Sequence, residues 1–146
     1  MIHEAGARHV PTVAVFCDGG SRGNPGPAAI GAVVLDVSVE PPVVLASVSE
    51  TIGVATNNVA EYRALIAGLE AALPFTPTTV LVRADSELLI RQLEGRYRVR
   101  NAGLQPLHRE AAALLGRFES HELLHVRREF NVDADALVNA ALDAAG

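Results

Sequence analysis

Four acids stand where an ordinary chain would need none: Asp18 at the end of a β-branched apolar run, Glu61 in the first turn of a helical stretch, Asp85 after a second apolar run, and Asp135 in the first turn of the last helical stretch. Val13 to Cys17 is short and apolar enough for a strand buried on both faces, which would ordinarily continue into another apolar residue. It runs into a carboxylate instead. An unpaired buried charge is costly, so Asp18 needs a partner, and a cation is the obvious one. Asp85 ends Val80 to Arg83 in the same way. If the chain obeys the right-handed crossover rule through the intervening helix, these two strands lie parallel and adjacent, and the two carboxylates emerge side by side at one sheet edge. Glu61 and Asp135 each have a plainer reading, as a capping-box acid and as a complement to the helix dipole. Hard oxygen ligands select Mg²⁺ or Mn²⁺, and the lack of a Cys or His cluster argues against zinc. His121 and His125 are expected to be structural or solvent-exposed.

The elements that must hold these acids follow from periodicity. Glycines 19, 20, 23 and 26 with Pro25 and Pro27 predict a bulged loop whose amides lie bare, joining the first strand to a second over Ala29 to Val37. A turn at Glu40-Pro41-Pro42 leads to a third strand, Val43 to Ile52, which completes an antiparallel meander. The period then changes to a helical one. Asn58 is the expected N-cap with Glu61 three residues on, Leu65, Leu69, Ala72 and Leu73 form the apolar face, and Pro74 stops the helix. After the strand at Val80 to Arg83 come a short helix over Ser86 to Leu93 closed by Gly95, and a longer one over Leu104 to Phe118 with Leu107, Leu114, Leu115 and Phe118 inward. A strand from Glu122 to Arg127 and a helix from Asp133 to Ala145, with Leu137, Ala141 and Leu142 inward, finish the chain. The expected architecture is α/β: a mixed five-stranded sheet, three antiparallel strands then two parallel, flanked by helices.

The 146 residues read as one domain with no repeat or linker, and residues 1–10 as a loose lead-in. The core must be aliphatic, since 49% of residues are hydrophobic and only 4% aromatic. No apolar run is long enough for a membrane span, and the N-terminus lacks the apolar segment of a signal peptide, so a cytoplasmic location is expected. Cys17, the single cysteine, excludes an internal disulfide and reads as a small core residue. A net charge of −5 argues against a sequence-independent nucleic-acid coat, yet residues 91–109 hold five arginines against one acid, Glu94.

CDGGSRGNPGP, TNNVAEYRALIAGLEAA, ADSELLIRQLEG and NVDADALVNAAL together, in this order, resemble the motifs of the type 1 ribonucleases H, and the resemblance runs from about Val13 to Asp143. It is similar in particular to a subgroup, archaeal and actinobacterial, that lacks a long basic handle. The resemblance implies a ribonuclease H-like fold and an endonuclease that hydrolyses the RNA strand of RNA/DNA hybrids with two Mg²⁺ ions, Mn²⁺ substituting, leaving 3′-hydroxyl and 5′-phosphate ends. It assigns the metal ligands to Asp18, Glu61, Asp85 and Asp135. Asp133 competes for the last place, but the family pattern of an asparagine, an Asp four residues on, then a leucine and an asparagine falls on Asn131, Asp135, Leu137 and Asn139.

The same resemblance puts substrate contacts at Gly19, Gly20 and Ser21 for the 2′-hydroxyl, at Asn24 and Asn57 in the minor groove, at Thr56 and Ser86, and at Arg96, Tyr97, Arg98 and Arg100 as the remnant of the handle. Many members carry a loop histidine before the last helix; here Arg128 stands near that place, and an arginine acts by charge and not as a proton shuttle. Duplex RNA is a second candidate partner, and the chain is expected to work as a monomer. The competing readings are a non-cleaving hybrid-binding module and another nuclease of the same superfamily, such as a transposase or resolvase core.

Overall fold

The computed structural model describes residues 9–146, so most of the lead-in expected over residues 1–10 lies outside the described residues. Residues 9 and 10 are not loose. The Val10 amide donates to the Phe75 carbonyl at 2.9 Å, His9 Nδ1 lies 2.7 Å from the Thr76 carbonyl, and the Val10 side chain is buried.

Five strands form one sheet: β1 (Thr12–Ser21), β2 (Gly26–Asp36), β3 (Val43–Ala55), β4 (Thr79–Ala84) and β5 (Ser120–His125), in the order β3-β2-β1-β4-β5. The first three are antiparallel neighbours, and β4 runs parallel to both β1 and β5. Helices α1 (Asn57–Ala72), α2 (Glu87–Leu93), α3 (Gln105–Leu115) and α4 (Val132–Ala145) complete the expected architecture. Among the described residues, no helix is long and apolar enough to cross a membrane.

The alternation of β1 sends Val13, Val15 and Cys17 to one face, where they pack with Ile30, Ala32 and Val34 of β2 and Val80 and Val82 of β4 against Tyr62, Leu65 and Leu69 of α1. Few aromatic residues are needed because α1 sits very close to the sheet. A Cβ on Gly68 would lie 2.6 Å from Val15 Cγ1. On the opposite face, Val138 and Leu142 of α4 pack on Ala29, and a Cβ on Gly31 would lie 2.3 Å from the Ala134 carbonyl. Two glycine approaches thus clamp β1 and β2 between α1 and α4.

Several boundaries differ from expectation. β1 does not stop at Cys17: Gly19, Gly20 and Ser21 stay paired with Ile30, Ala29 and Ala28, so Asp18 lies inside the strand opposite Gly31. The cap of α1 is Thr56, whose hydroxyl accepts from the Val59 amide at 3.2 Å, and not Asn58. Glu61 is therefore not a capping-box acid. α4 buries Ala134, Val138 and Leu142, while Leu137 and Ala141 are only half-buried. β5 starts two residues earlier than expected and ends at His125; as an edge strand with most side chains exposed, it carries little alternation to read. α3 ends at Leu115, and Phe118 is buried in the turn beyond it. Between α2 and α3 no extra helix forms, as the short connection implied.

Candidate active site

β1 and β4 run in parallel up to the pair Cys17 and Ala84, so the next residue of each chain, Asp18 and Asp85, stands at the same level. α1 brings Glu61 from one side. A Cβ on Gly19 would lie 2.2 Å from the Ala60 carbonyl carbon, so only glycine lets the first turn of α1 approach β1 this closely. The Gly19 amide then donates to Glu61 Oε1 at 2.5 Å. Carboxylate oxygens of Asp18, Glu61 and Asp85 lie within 4.8 Å of one another.

Asp135 comes from the opposite side of the sheet. Asn131 is fully buried, and its Nδ2 donates to the Cys17 carbonyl at 2.9 Å, which ties the start of α4 to β1 one residue before Asp18. Asp135 lines the same cavity of about 500 Å³ as the other three acids, together with Gly19, Gly20 and Ser21. Asp133 lines a separate small cavity with Phe16, Phe130 and Val132.

Gathering these carboxylates has an electrostatic cost. Asp18 is 8% exposed. Its carboxyl is pushed up to about 9, first by burial, then by the charges of Glu61 and Asp85 and by hydrogen bonds with Asp135 and Glu61. Burial likewise raises Glu61 to about 7, against the Gly19 amide, which pulls it down. Cys17, buried beside the three acids, is held well above the usual thiol range by burial and their charges, which makes it an inert core residue. A donor set made only of converging carboxylates fits a hard divalent cation, and such an ion would remove the repulsion that raises Asp18 and Glu61.

The remaining expected residues fall into four groups. Asn24, Asn57 and Ser21 form a network: the Asn57 amide donates to Asn24 Oδ1 at 3.0 Å, and the Ser21 amide and hydroxyl donate to Asn57 Oδ1 at 2.9 and 3.1 Å. The amides of Gly19 and Ser21 are thus engaged, contrary to the bare loop expected. Thr56 and Ser86 cap helices, Ser86 accepting from the Leu89 amide at 3.2 Å. Arg128 stands at the cavity wall with Nε 3.7 Å from Asp85 Oδ2 and a largely exposed side chain. Arg96, Tyr97 and Arg98 lie apart from the acids, in a groove of about 540 Å³ shared with His108 and Arg109, and Arg100 is outside its lining.

Sequence reasoning set His125 aside, yet it lines the acid cavity, as do Arg22 and Asn139. The signal for His125 was its register: it pairs with Ala84, one residue before Asp85.

Residues 16–141 match a family model described as reverse transcriptase-like. The chain is 47% identical over 133 residues to the bifunctional protein Rv2228c of Mycobacterium tuberculosis, covering 91% of this chain but only 36% of that protein. It is 47% identical over 131 residues to ribonuclease HI of Halobacterium salinarum, covering 90% of this chain and 64% of the relative. The solved N-terminal RNase H domain of Rv2228c superposes with a TM-score of 0.85 at 45% identity, covering 89% of this chain and 98% of that one. LC11-RNase H1 in complex with an RNA/DNA hybrid superposes with a TM-score of 0.84 at 40% identity, covering 91% and 98%.

Proposed function

The chain belongs to the type 1 ribonuclease H family, and from that premise we propose that it is an endonuclease hydrolysing the RNA strand of RNA/DNA hybrids, leaving 3′-hydroxyl and 5′-phosphate ends. The observation that carries this reading is the convergence of Asp18, Glu61 and Asp85 within 4.8 Å in an open polar cavity that Asp135 also lines.

These four acids would hold the metal ions, Mg²⁺ with Mn²⁺ as substitute. Two divalent ions bound across one phosphate supply a water made nucleophilic at neutral pH and charge stabilisation for the departing oxygen. The chain's own residues prepare that chemistry. Asp18, with Glu61 and Asp85 within 4.8 Å and Asp135 lining the same cavity, would be the central acid of the set that holds them. The Gly19 amide fixes one oxygen of Glu61, so this carboxylate is oriented before substrate arrives. Asn131 holds α4, and with it Asp135, against β1. Arg128 offsets part of the charge beside Asp85 and offers a cation to an incoming phosphate.

Selection for RNA in the cut strand rests on the 2′-hydroxyl, which both donates and accepts. With the Gly19 and Ser21 amides engaged and Gly20 paired with Ala29 in the ladder, the Asn57 side-chain amide and the Glu61 carboxylate are the groups left to meet it, and Asn24 holds Asn57 in place. On the DNA strand, Thr56 and Ser86 contribute at helix starts, while Arg96, Tyr97, Arg98 and Arg100 grip phosphates and sugars without reading sequence. This activity is assigned to a cytoplasmic monomer acting through one catalytic domain. The discriminating experiment compares RNA/DNA hybrid, duplex RNA and duplex DNA, each with Mg²⁺ and with chelator, and analyses the product ends. Metal-dependent cutting of the hybrid with a free 3′-hydroxyl is expected. Tight hybrid binding with no cutting at any metal concentration would overturn the proposal, and cutting of duplex RNA would add a second substrate.

A further inference from the structure

Residues 94–104, between α2 and α3, carry Arg96, Arg98 and Arg100 outside any helix or strand, yet their backbone is held at successive points. The Arg96 and Tyr97 amides donate to the Arg91 carbonyl at 2.9 and 3.1 Å. The Val99 carbonyl accepts from Gln105 Nε2 at 3.1 Å, and the Arg98 carbonyl from Gln92 Nε2 at 3.4 Å. Gln92 is the unusual member. It is only 5% exposed, on the inward face of a helix whose other buried residues are Leu89 and Ile90. An apolar residue there would need no partners, whereas a buried amide must have both ends paired. Its Oε1 accepts from Tyr62 Oη at 2.7 Å, and its backbone carbonyl lies 3.2 Å from His108 Nε2. The His108 ring meets that of Tyr62 edge to face at 6.4 Å. One buried side chain therefore joins α1 to the arginine segment, and its own backbone joins α2 to α3.

We infer that Gln92 is a positioning residue for substrate binding: its amide supports the Arg98 carbonyl from beneath and holds Arg96 and Arg98 in the groove beside Arg109 before the hybrid arrives. A segment ordered in advance loses less conformational entropy when its side chains meet phosphates, so binding is tighter with no new contact to substrate. The inference rests on the reading of this segment as part of the hybrid grip.

Gln92→Met keeps the length of the side chain and removes both hydrogen bonds, while Tyr62→Phe removes only the hydroxyl arm and leaves the bond to Arg98. Gln92→Met should raise KM for hybrid about threefold to tenfold, leave kcat within about twofold, and speed amide exchange at residues 96–100. Tyr62→Phe should lower the melting temperature yet leave KM and that exchange unchanged. If Gln92→Met does not fold, the double variant with Tyr62→Phe leaves no orphaned hydroxyl and still lacks the donor to Arg98, so the same KM and exchange changes are expected of it. A Gln92→Met effect on stability alone, or equal KM changes in Gln92→Met and Tyr62→Phe, would reduce Gln92 to a core amide and overturn the inference. Alanine at all three of Arg96, Arg98 and Arg100 separates the two levels. Raised KM there with none in Gln92→Met defeats only the positioning role, whereas unchanged KM in the arginine variant defeats the grip reading and this inference with it.

Discussion

Asp18 lies inside the central strand, closed in by glycine contacts to a helix on each side, while Arg96, Arg98 and Arg100 project from a connection that has no ladder or helix of its own. The two regions differ in sign of charge and in how that charge is held. Acids meant to share cations must be brought within a few ångströms at a cost in folding energy, and only rigid elements can enforce that. Arginines meant to meet a polyanion need reach and solvent access, which a supported loop provides. The contrast predicts that substitutions among the acids act on the chemical step and on stability in opposite directions, whereas substitutions among the arginines act on binding alone.

The sharpest way to break this comparison is Asp18→Asn. Activity should fall by several powers of ten in single-turnover cleavage, while the metal-free protein melts at the same or a higher temperature because a carboxyl whose charged form burial and its acidic neighbours disfavour gives way to a neutral amide. Near-normal cleavage would falsify the assignment of Asp18. Next in size, Asp135→Asn should cost several powers of ten in rate and Asp133→Asn little, since Asp133 lines a different cavity. The reverse order would mean that the wrong acid of the pair had been assigned to the site.

For the arginines, the triple alanine variant should raise KM for hybrid with little change in kcat. Each neutralised phosphate contributes a slope of about −0.9 in log K against log salt for duplex, so the salt dependence should flatten by roughly two to three units. A fall in kcat with unchanged salt dependence would erase the distinction between the regions. The smallest effect is on stability. Burial and the charges of Glu61 and Asp85 push the Asp18 carboxyl up from its ordinary 3.8, so above that value the folded state binds more protons than the unfolded one. Stability in chelator should therefore fall as pH rises from about 4 into the alkaline range. Saturating Mg²⁺ should restore it most at the alkaline end, by mass action on the folded state. Thermal melts across pH, with and without Mg²⁺, would show whether Asp18→Asn flattens the profile as expected.

The order of elements and the meeting of Asp18 with Asp85 were legible because a carboxylate ending a β-branched run is conspicuous, and the crossover rule then makes the two strands neighbours. The cap of α1 was not legible between Thr56 and Asn58, which are both good cap residues; backbone geometry decides between them. The continuation of β1 through Gly19 and Gly20 was hidden because glycine-rich sequence ordinarily marks a turn, and here it marks close approach of α1. Gln92 gave no signal at all, since a polar residue in a short helix reads as surface until Tyr62 and the Arg98 carbonyl are seen to enclose it.

The two register shifts of β3 against β2, between Ala28 and Ala29 and between Val34 and Leu35, bear on how the protein behaves when concentrated. β3 is a sheet edge and the longest strand, with Val43, Val44 and Val54 exposed, which is the kind of surface that recruits a further strand and seeds aggregation. Each bulge breaks the row of outward amides and twists the strand, so regular pairing with another chain is confined to the stretch between them, Ala46 to Thr51. Glu50 sits exposed in that stretch, so a strand added there would meet a charge. The irregularities that shape the sheet also keep its open border from becoming a template.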